Sequence, residues 1–185
     1  MRKVLAAVGV AVCMGLAVQS AQAQVKNVQV YFDANLTQTS QGCGTGLQTL
    51  HVVAQGFGMW LAAIQYQVNF PAEVTWVADI ADPNRLDIGT SVAGIASAWT
   101  IPQNAFSSVK ILDILVQWDP ACTCTGASPK PIVVGPHPQT GDIRAVRWPD
   151  NVLFTGIVGM TALVCPGAVP VEETSWGKVK ALYNN

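Results

Sequence analysis

Along much of this chain the apolar residues recur at every second position. In WLAAIQYQVNF (60–70), Trp60, Ala62, Ile64, Tyr66, Val68 and Phe70 share one parity, and Gln65, Gln67 and Asn69 share the other. A period of two sends successive side chains to opposite faces, so this pattern predicts a half-buried β-strand. VKILDILVQW (109–118) repeats it, with Leu112, Ile114, Val116 and Trp118 facing one way and Asp113 and Gln117 the other. Shorter stretches of the same character are VQVYFD (28–33), LQTLHVVA (47–54), VTWVA (74–78), SVAGIASAW (91–99), PIVV (131–134), IRAVRW (143–148) and MTALVC (160–165). Gly, Pro, Asn and Asp punctuate the intervals, as turns require. About nine strands at this spacing predict an all-β fold, a two-sheet sandwich or jelly roll that buries its apolar parities between the layers.

Both ends of the chain break the pattern. MRKVLAAVGVAVCMGLAVQSAQA has a basic start at Arg2 and Lys3, an apolar run to about Val18, and Ala21-Gln22-Ala23 before Gln24. That is the three-part layout of a secretory signal peptide, and the run is short for a membrane span of about 20 residues. Residues 1–23 are expected to be removed, leaving a sandwich domain over 24–168 and no membrane insertion after cleavage. At the other end TSWGKVKALYNN places Trp176, Val179 and Leu182 at helical spacing behind a capping Thr174 or Ser175. Residues 169–185 are therefore expected to be a tail with a short amphipathic helix. It is too short to be stable alone, so Trp176, Val179 and Leu182 should contact the sandwich or a partner.

Charge narrows the function. Removing the leader takes away Arg2 and Lys3, so ten basic residues fall to eight against eleven acidic ones, a net charge of −3. A nucleic-acid binder needs a basic surface to neutralise phosphates, and a polybasic membrane patch needs the same. Neither is expected here.

Of five cysteines, Cys13 leaves with the leader. Cys43, Cys122, Cys124 and Cys165 remain. An even count in an exported chain reads as two disulfides. Bridging Cys122 to Cys124 would close a tiny strained ring. Two pairings stay open: Cys43–Cys122 with Cys124–Cys165, or Cys43–Cys124 with Cys122–Cys165. The Cys-x-Cys spacing, with His51 and His137 remote, fits no structural zinc pattern.

AIQYQVNFPAEVTWVADI (63–80) resembles a signature of cohesin-like domains, in which a strand runs into an Asp-Pro turn and then an apolar strand. Ile64 to Pro71 follows that rhythm and Val74 to Val77 matches the next strand, with Phe70-Pro71 standing where Asp-Pro is typical. VKILDILVQW resembles a later strand of such domains, and the likeness spans about residues 28–120. VYFD, HPQTG with RAVRWPD, VGMTALVC and the WGKVKALY ending are similar to a group of uncharacterised exported bacterial proteins. The first resemblance implies a cohesin-like or carbohydrate-module-like sandwich that binds a protein or a polysaccharide without catalysis. The second implies an exported bacterial setting.

The remaining chemistry is sparse. His51 has the parity opposite Leu50 and Val52 and reads as a solvent-facing strand residue, and His137 sits between prolines in a turn. No nucleophile motif accompanies either. HPQTG (137–141) reads as a turn with Pro138 and Gly141 flanking a hairpin. DIADPNRLDIG (79–89) carries Asp79, Asp82 and Asp87, a weak calcium candidate without the spacing of a calcium loop, and reads as a solvated loop. Of six tryptophans, Trp60, Trp76 and Trp118 share the apolar parity of their strands and are assigned to the core. Trp99, Trp148 and Tyr31 are the aromatics left for a ligand. Arg144 and Arg147 have opposite parity and form no single cationic face. The expectation is a secreted or envelope-exterior binding module for a polysaccharide or surface protein, with no cofactor and no enzyme activity. The alternatives are a self-assembling structural subunit of a surface layer or fibre and, behind it, a hydrolase.

Overall fold

The computed structural model describes residues 25–124 and 128–166. The expected leader and the expected C-terminal tail, with Trp176, Val179 and Leu182, lie outside the described residues. Thirteen strands occur in order: β1 Asn27–Tyr31, β2 Ser40–Gln41, β3 Leu47–Gln55, β4 Met59–Asn69, β5 Val74–Ile80, β6 Arg85–Thr90, β7 Gly94–Ala105, β8 Val109–Trp118, β9 Lys130–Gly135, β10 Arg144–Trp148, β11 Leu153–Phe154, β12 Val158–Gly159 and β13 Thr161–Val164. All nine strands predicted from periodicity are present. The described residues contain no helix.

The strands form two sheets. One has the order β12-β1-β3-β8-β5. In the other, β4 is central: β7 lies on one of its edges with β6 beyond, and β9 and β10 share the opposite edge. Val30, Leu50, Val52, Ile114 and Val116 from the first sheet meet Leu61, Ile64, Tyr66, Val68 and Val134 from the second in a single buried core. The parities read from the sequence in β3, β8 and the second half of β4 are the ones that face inward. Stacking two such faces removes them from water, which is what stabilises a sandwich.

The two open sides of the sandwich close differently. On one side the chain from β12 to β13 crosses between sheets: Met160 N–H donates to the Val28 carbonyl at 2.8 Å, while its own carbonyl accepts from Val134 N–H at 3.2 Å. Gly159 permits this approach, since a Cβ there would lie 1.8 Å from the Val134 carbonyl oxygen. On the other side β8 carries an extra residue, Ile111, between the pairs Val52↔Leu112 and Val53↔Lys110. A bulge leaves its backbone groups without ladder partners. The Ile111 carbonyl is satisfied by Arg85 Nη1 at 2.6 Å, and Arg85 Nη2 donates to the Ile80 carbonyl at 3.0 Å. One arginine on β6 thus ties the second sheet to β8 and β5 of the first.

Three expectations need correction. The stretch 79–89, read as a solvated loop, holds the end of β5, a short turn and residues 85–89 of β6. The HPQTG turn forms a tight loop with a His137↔Asp142 bridge, but it does not join two strands of a hairpin. β9 and β10 both run antiparallel to β4, pairing Gly135↔Gln67 and Arg144↔Gln65, so the loop is an excursion from one line of strand. Trp60 is not core. Ala62 is an extra residue in β4 between Leu61↔Arg147 and Ala63↔Val146. That bulge inverts the parity, so that Met59 and Leu61 point inward and Trp60 is 43% exposed.

The cysteine pairing left open by the sequence is Cys43–Cys122 and Cys124–Cys165, with Cα–Cα distances of 5.8 and 5.0 Å. The two bridges pack together, Cys43 Sγ lying 3.4 Å from Cys124 Sγ. They join the segment after β2, the loop after β8 and the end of β13.

Candidate functional site

β6 reads Arg-Leu-Asp-Ile-Gly-Thr, an alternation of charged and apolar residues. In the fold its orientation is the reverse of the usual one. Arg85 and Asp87 face the interior, where Arg85 Nε donates to both Asp87 oxygens at 2.7 and 2.9 Å and Ser97 Oγ donates to Asp87 Oδ1 at 2.6 Å. The Arg85 side chain is only 4% exposed. Leu86 and Ile88 consequently point to solvent, at 64% and 67% exposure. The buried Ile111 carbonyl at the bulge of β8 favours this choice, because it needs a donor and Arg85 on β6 supplies it.

Beside Leu86 and Ile88 the outward positions of β7, β4, β10 and β11 are also apolar. Ala96, Ala98, Ala63, Val146 and Leu153 complete a groove of about 220 Å³ on the outer face of the second sheet. The small alanines form its floor and the larger aliphatics its walls. One end is polar: Arg144 and Gln65 are directly paired across β10 and β4, and Gln65 Nε2 donates to Thr140 Oγ1 at 2.8 Å. Burial inside the sandwich pushes the Tyr66 phenol well above its usual pKa, with Arg85 opposing and Asp79 and Asp87 adding to the shift. Tyr66 is therefore a neutral core residue beneath this face.

A second apolar patch adjoins the groove. Trp60 and Trp148 are directly opposite each other on β4 and β10 and are 43% and 49% exposed. Ile101, Pro102 and Pro149 border them. β7 bulges here: the five-residue step from Ala98 to Gln103 faces only two on β4, from Ala63 to Leu61. The bulge tolerates Pro102, which has no N–H for a ladder, and it pushes Ile101 outward.

The aromatics proposed from sequence are therefore separated. Trp148 is on this face, but Trp99 turns inward into the core at the β7 bulge. Tyr31 is largely buried on the first sheet, where Gln55 Nε2 donates to its hydroxyl at 2.6 Å. Trp76 is half-buried against the core and Trp118 fully buried. The three carboxylates considered for calcium have other partners. Asp79 accepts from Trp76 Nε1 and Ser91 N–H, Asp82 caps its own turn through Asn84 N–H, and Asp87 holds Arg85. Among the described residues, Cys43, Cys124 and Cys165 alone gather three metal-ligand-type atoms within 4.8 Å, and they do so as packed disulfides.

Among the described residues, the side-chain hydrogen bonds of the two histidines go to Asp113 and to the Gln139 N–H. His51, expected to face solvent, is largely buried, flanked by Tyr31 on β1 and Asp113 on β8; its Nδ1 lies 2.6 Å from Asp113 Oδ1. Lys110 Nζ reaches the other oxygen of Asp113 at 2.8 Å. Burial pushes the Asp113 carboxyl up, but hydrogen bonds from Lys110 and His51 outweigh it and hold the pKa below its ordinary value. His137 is buried in its loop, accepting backbone N–H groups from Thr140 and Gly141.

Sequence reading placed Leu86 and Ile88 in a solvated loop, without the strand that sets them on one sheet face, and assigned Trp60 to the core. The period-two signal in RLDIGT was visible, but alternation alone does not say which parity faces water.

Neither protein-family models nor curated proteins give a match to this chain. Solved structures do. A type II cohesin domain from the cellulosome of Acetivibrio cellulolyticus superposes with a TM-score of 0.51 at 8% identity, over 76% of this chain and 95% of that one. The third ScaB cohesin of R. flavefaciens, solved with a group 1 dockerin, gives 0.49 at 8% identity over 75% and 94%. The seventh ScaB type I cohesin from Pseudobacteroides cellulosolvens gives 0.48 at 10% identity over 82% and 98%. At such identities the likeness concerns the backbone arrangement alone. The described chain is an all-β, cohesin-like β-sandwich.

Proposed function

We propose that this chain is an exported, non-enzymatic binding module that docks a protein partner on the outer face of its β6-β7-β4-β10 sheet. The observation that carries the reading is the reversed strand β6, which buries an ion pair and presents Leu86 and Ile88 to water. Contiguous exposed apolar surface of this kind marks interaction sites in soluble proteins. The groove floor is β-sheet backbone, so it is pre-formed and little ordering opposes binding. Two disulfides suit an oxidising compartment, in keeping with the N-terminal pattern of a leader.

The test uses the disulfide-bonded chain as bait for a displayed random-peptide library. Peptides selected on the wild-type chain should bind a Leu86→Asp/Ile88→Asp variant at least about 100-fold more weakly, as loss of two central anchors does. Selected peptides that bind both forms equally would remove the face from consideration.

One observation favours a second reading, polysaccharide binding. Trp60 and Trp148 are adjacent exposed indoles, and flat aromatic rings offer stacking surfaces to sugars. A glycan array probed with wild-type and Trp148→Ala chain separates the two: a sugar signal lost in the variant favours the carbohydrate.

A further inference from the structure

Among the described residues, Arg144 is the single charged group that lines the groove. The other two described arginines are each held by a carboxylate, Arg85 by Asp87 and Arg147 by Asp150. Arg144 has no carboxylate within 4.0 Å among the described residues. Its Nη2 donates to the Thr140 carbonyl at 3.3 Å, and its Nε is buried without an acceptor. A guanidinium donor shut away from water and left unmatched is unfavourable. The Arg144 side chain lines the end of an apolar trough whose walls are Leu86, Ile88, Val146 and Leu153.

We propose that the docking partner presents an apolar peptide segment bearing one carboxylate, and that Arg144 receives that carboxylate at the end of the groove. This rests on the docking face proposed above. The guanidinium fork matches a two-oxygen anion, and a charged hydrogen bond strengthens where apolar walls exclude water. A polyanion is a poor fit: it would need several cations, Arg144 is the only one among the described residues that line the groove, and the whole chain carries a net charge of −1. Gln65, fixed by Thr140, keeps the corner polar beside Arg144 and supplies a neutral hydrogen-bonding neighbour.

The experiment repeats the displayed-peptide selection on four forms of the full disulfide-bonded chain: wild type, Arg144→Gln, Arg144→Glu and Arg144→Lys. Wild type should enrich Asp or Glu among apolar positions by about 10-fold or more, the discrimination expected of a charged hydrogen bond. Arg144→Gln should keep the apolar preference and lose the acidic one. Arg144→Glu should move the preference to Lys or Arg, and Arg144→Lys should retain part of it, which shows that charge rather than folding is at stake. Acidic enrichment that is absent in wild type, or that survives in Arg144→Gln, overturns the proposal. If Leu86→Asp/Ile88→Asp abolishes peptide binding while no acidic preference ever appears, the docking face stands and the carboxylate anchor falls. If Trp176→Asp raises peptide binding about 10-fold, the chain's own C-terminal residues fill the groove and the partner proposal is overturned.

Discussion

Gly44 shows how tightly single residues are constrained near the disulfides. A Cβ at this position would lie 2.3 Å from Trp118 Nε1 and 2.5 Å from Cε2. The indole has nowhere to retreat, because it is 1% exposed and its Nε1 donates to Gln48 Oε1 at 2.7 Å. Gly44→Ala should therefore lower stability by about 1–3 kcal/mol, the usual effect of overpacking a filled site. A shift of the urea midpoint at unchanged slope measures it. Asp113 makes a different residue-scale prediction. Its folded pKa lies below its ordinary value because Lys110 and His51 outweigh burial. The unfolded chain then binds more protons in the interval between the two values. The stability it contributes is complete above the ordinary carboxylate value near pH 4 and is lost as pH falls through the folded one. Thermal unfolding of Asp113→Asn should fall less than that of wild type as pH drops from about 5 to about 2. Parallel pH curves for the two proteins would contradict the assignment.

At the scale of the element, β6 is the informative strand. Its inward face is an ion pair instead of a hydrophobic row, and Arg85 also satisfies two carbonyls on the opposite sheet. Removing one partner strands a buried charge. Asp87→Ala should cost about 3–5 kcal/mol. The double variant Arg85→Met/Asp87→Leu leaves no unmatched charge but orphans the buried Ile111 carbonyl, so it should fall between wild type and Asp87→Ala in thermal unfolding. A double variant less stable than Asp87→Ala would show that the carbonyl contacts outweigh the ion pair. The outward face behaves otherwise: Leu86 and Ile88 are mostly solvated, so the Leu86→Asp/Ile88→Asp variant should unfold within about 0.5 kcal/mol per site of wild type. Stability and the proposed docking thus fall on opposite faces of one six-residue strand.

For the whole molecule, two bridges of 79- and 41-residue separation fasten the segments after β2, after β8 and after β13 at one place. Such bridges restrict the unfolded chain more than they add contacts to the folded one. Replacing Cys124 and Cys165 together by serine should cost about 2–5 kcal/mol, read as a lowered unfolding temperature without loss of the β-sheet spectrum at low temperature. Peptide mapping under non-reducing conditions should recover Cys43 linked to Cys122. A Cys43–Cys124 peptide would mean that the segments meet in a different arrangement.

The alternating apolar pattern by itself determined nine strands, the all-β class and most of the inward faces, because pleating makes the period-two rule local to each strand. The four cysteines after residue 24 likewise set the number of bridges. Three matters were decided only by tertiary structure. Trp60 faces out because Ala62 bulges against β10, which requires the neighbouring strand to be in place. β6 turns its charges inward because the bulge at Ile111, far along the chain, leaves a carbonyl that Arg85 must satisfy. The cysteines pair as they do because β2, β8 and β13 bring specific segments to one end of the sandwich. Each depends on contacts between residues distant in sequence, and periodicity within a strand carries no record of its neighbours.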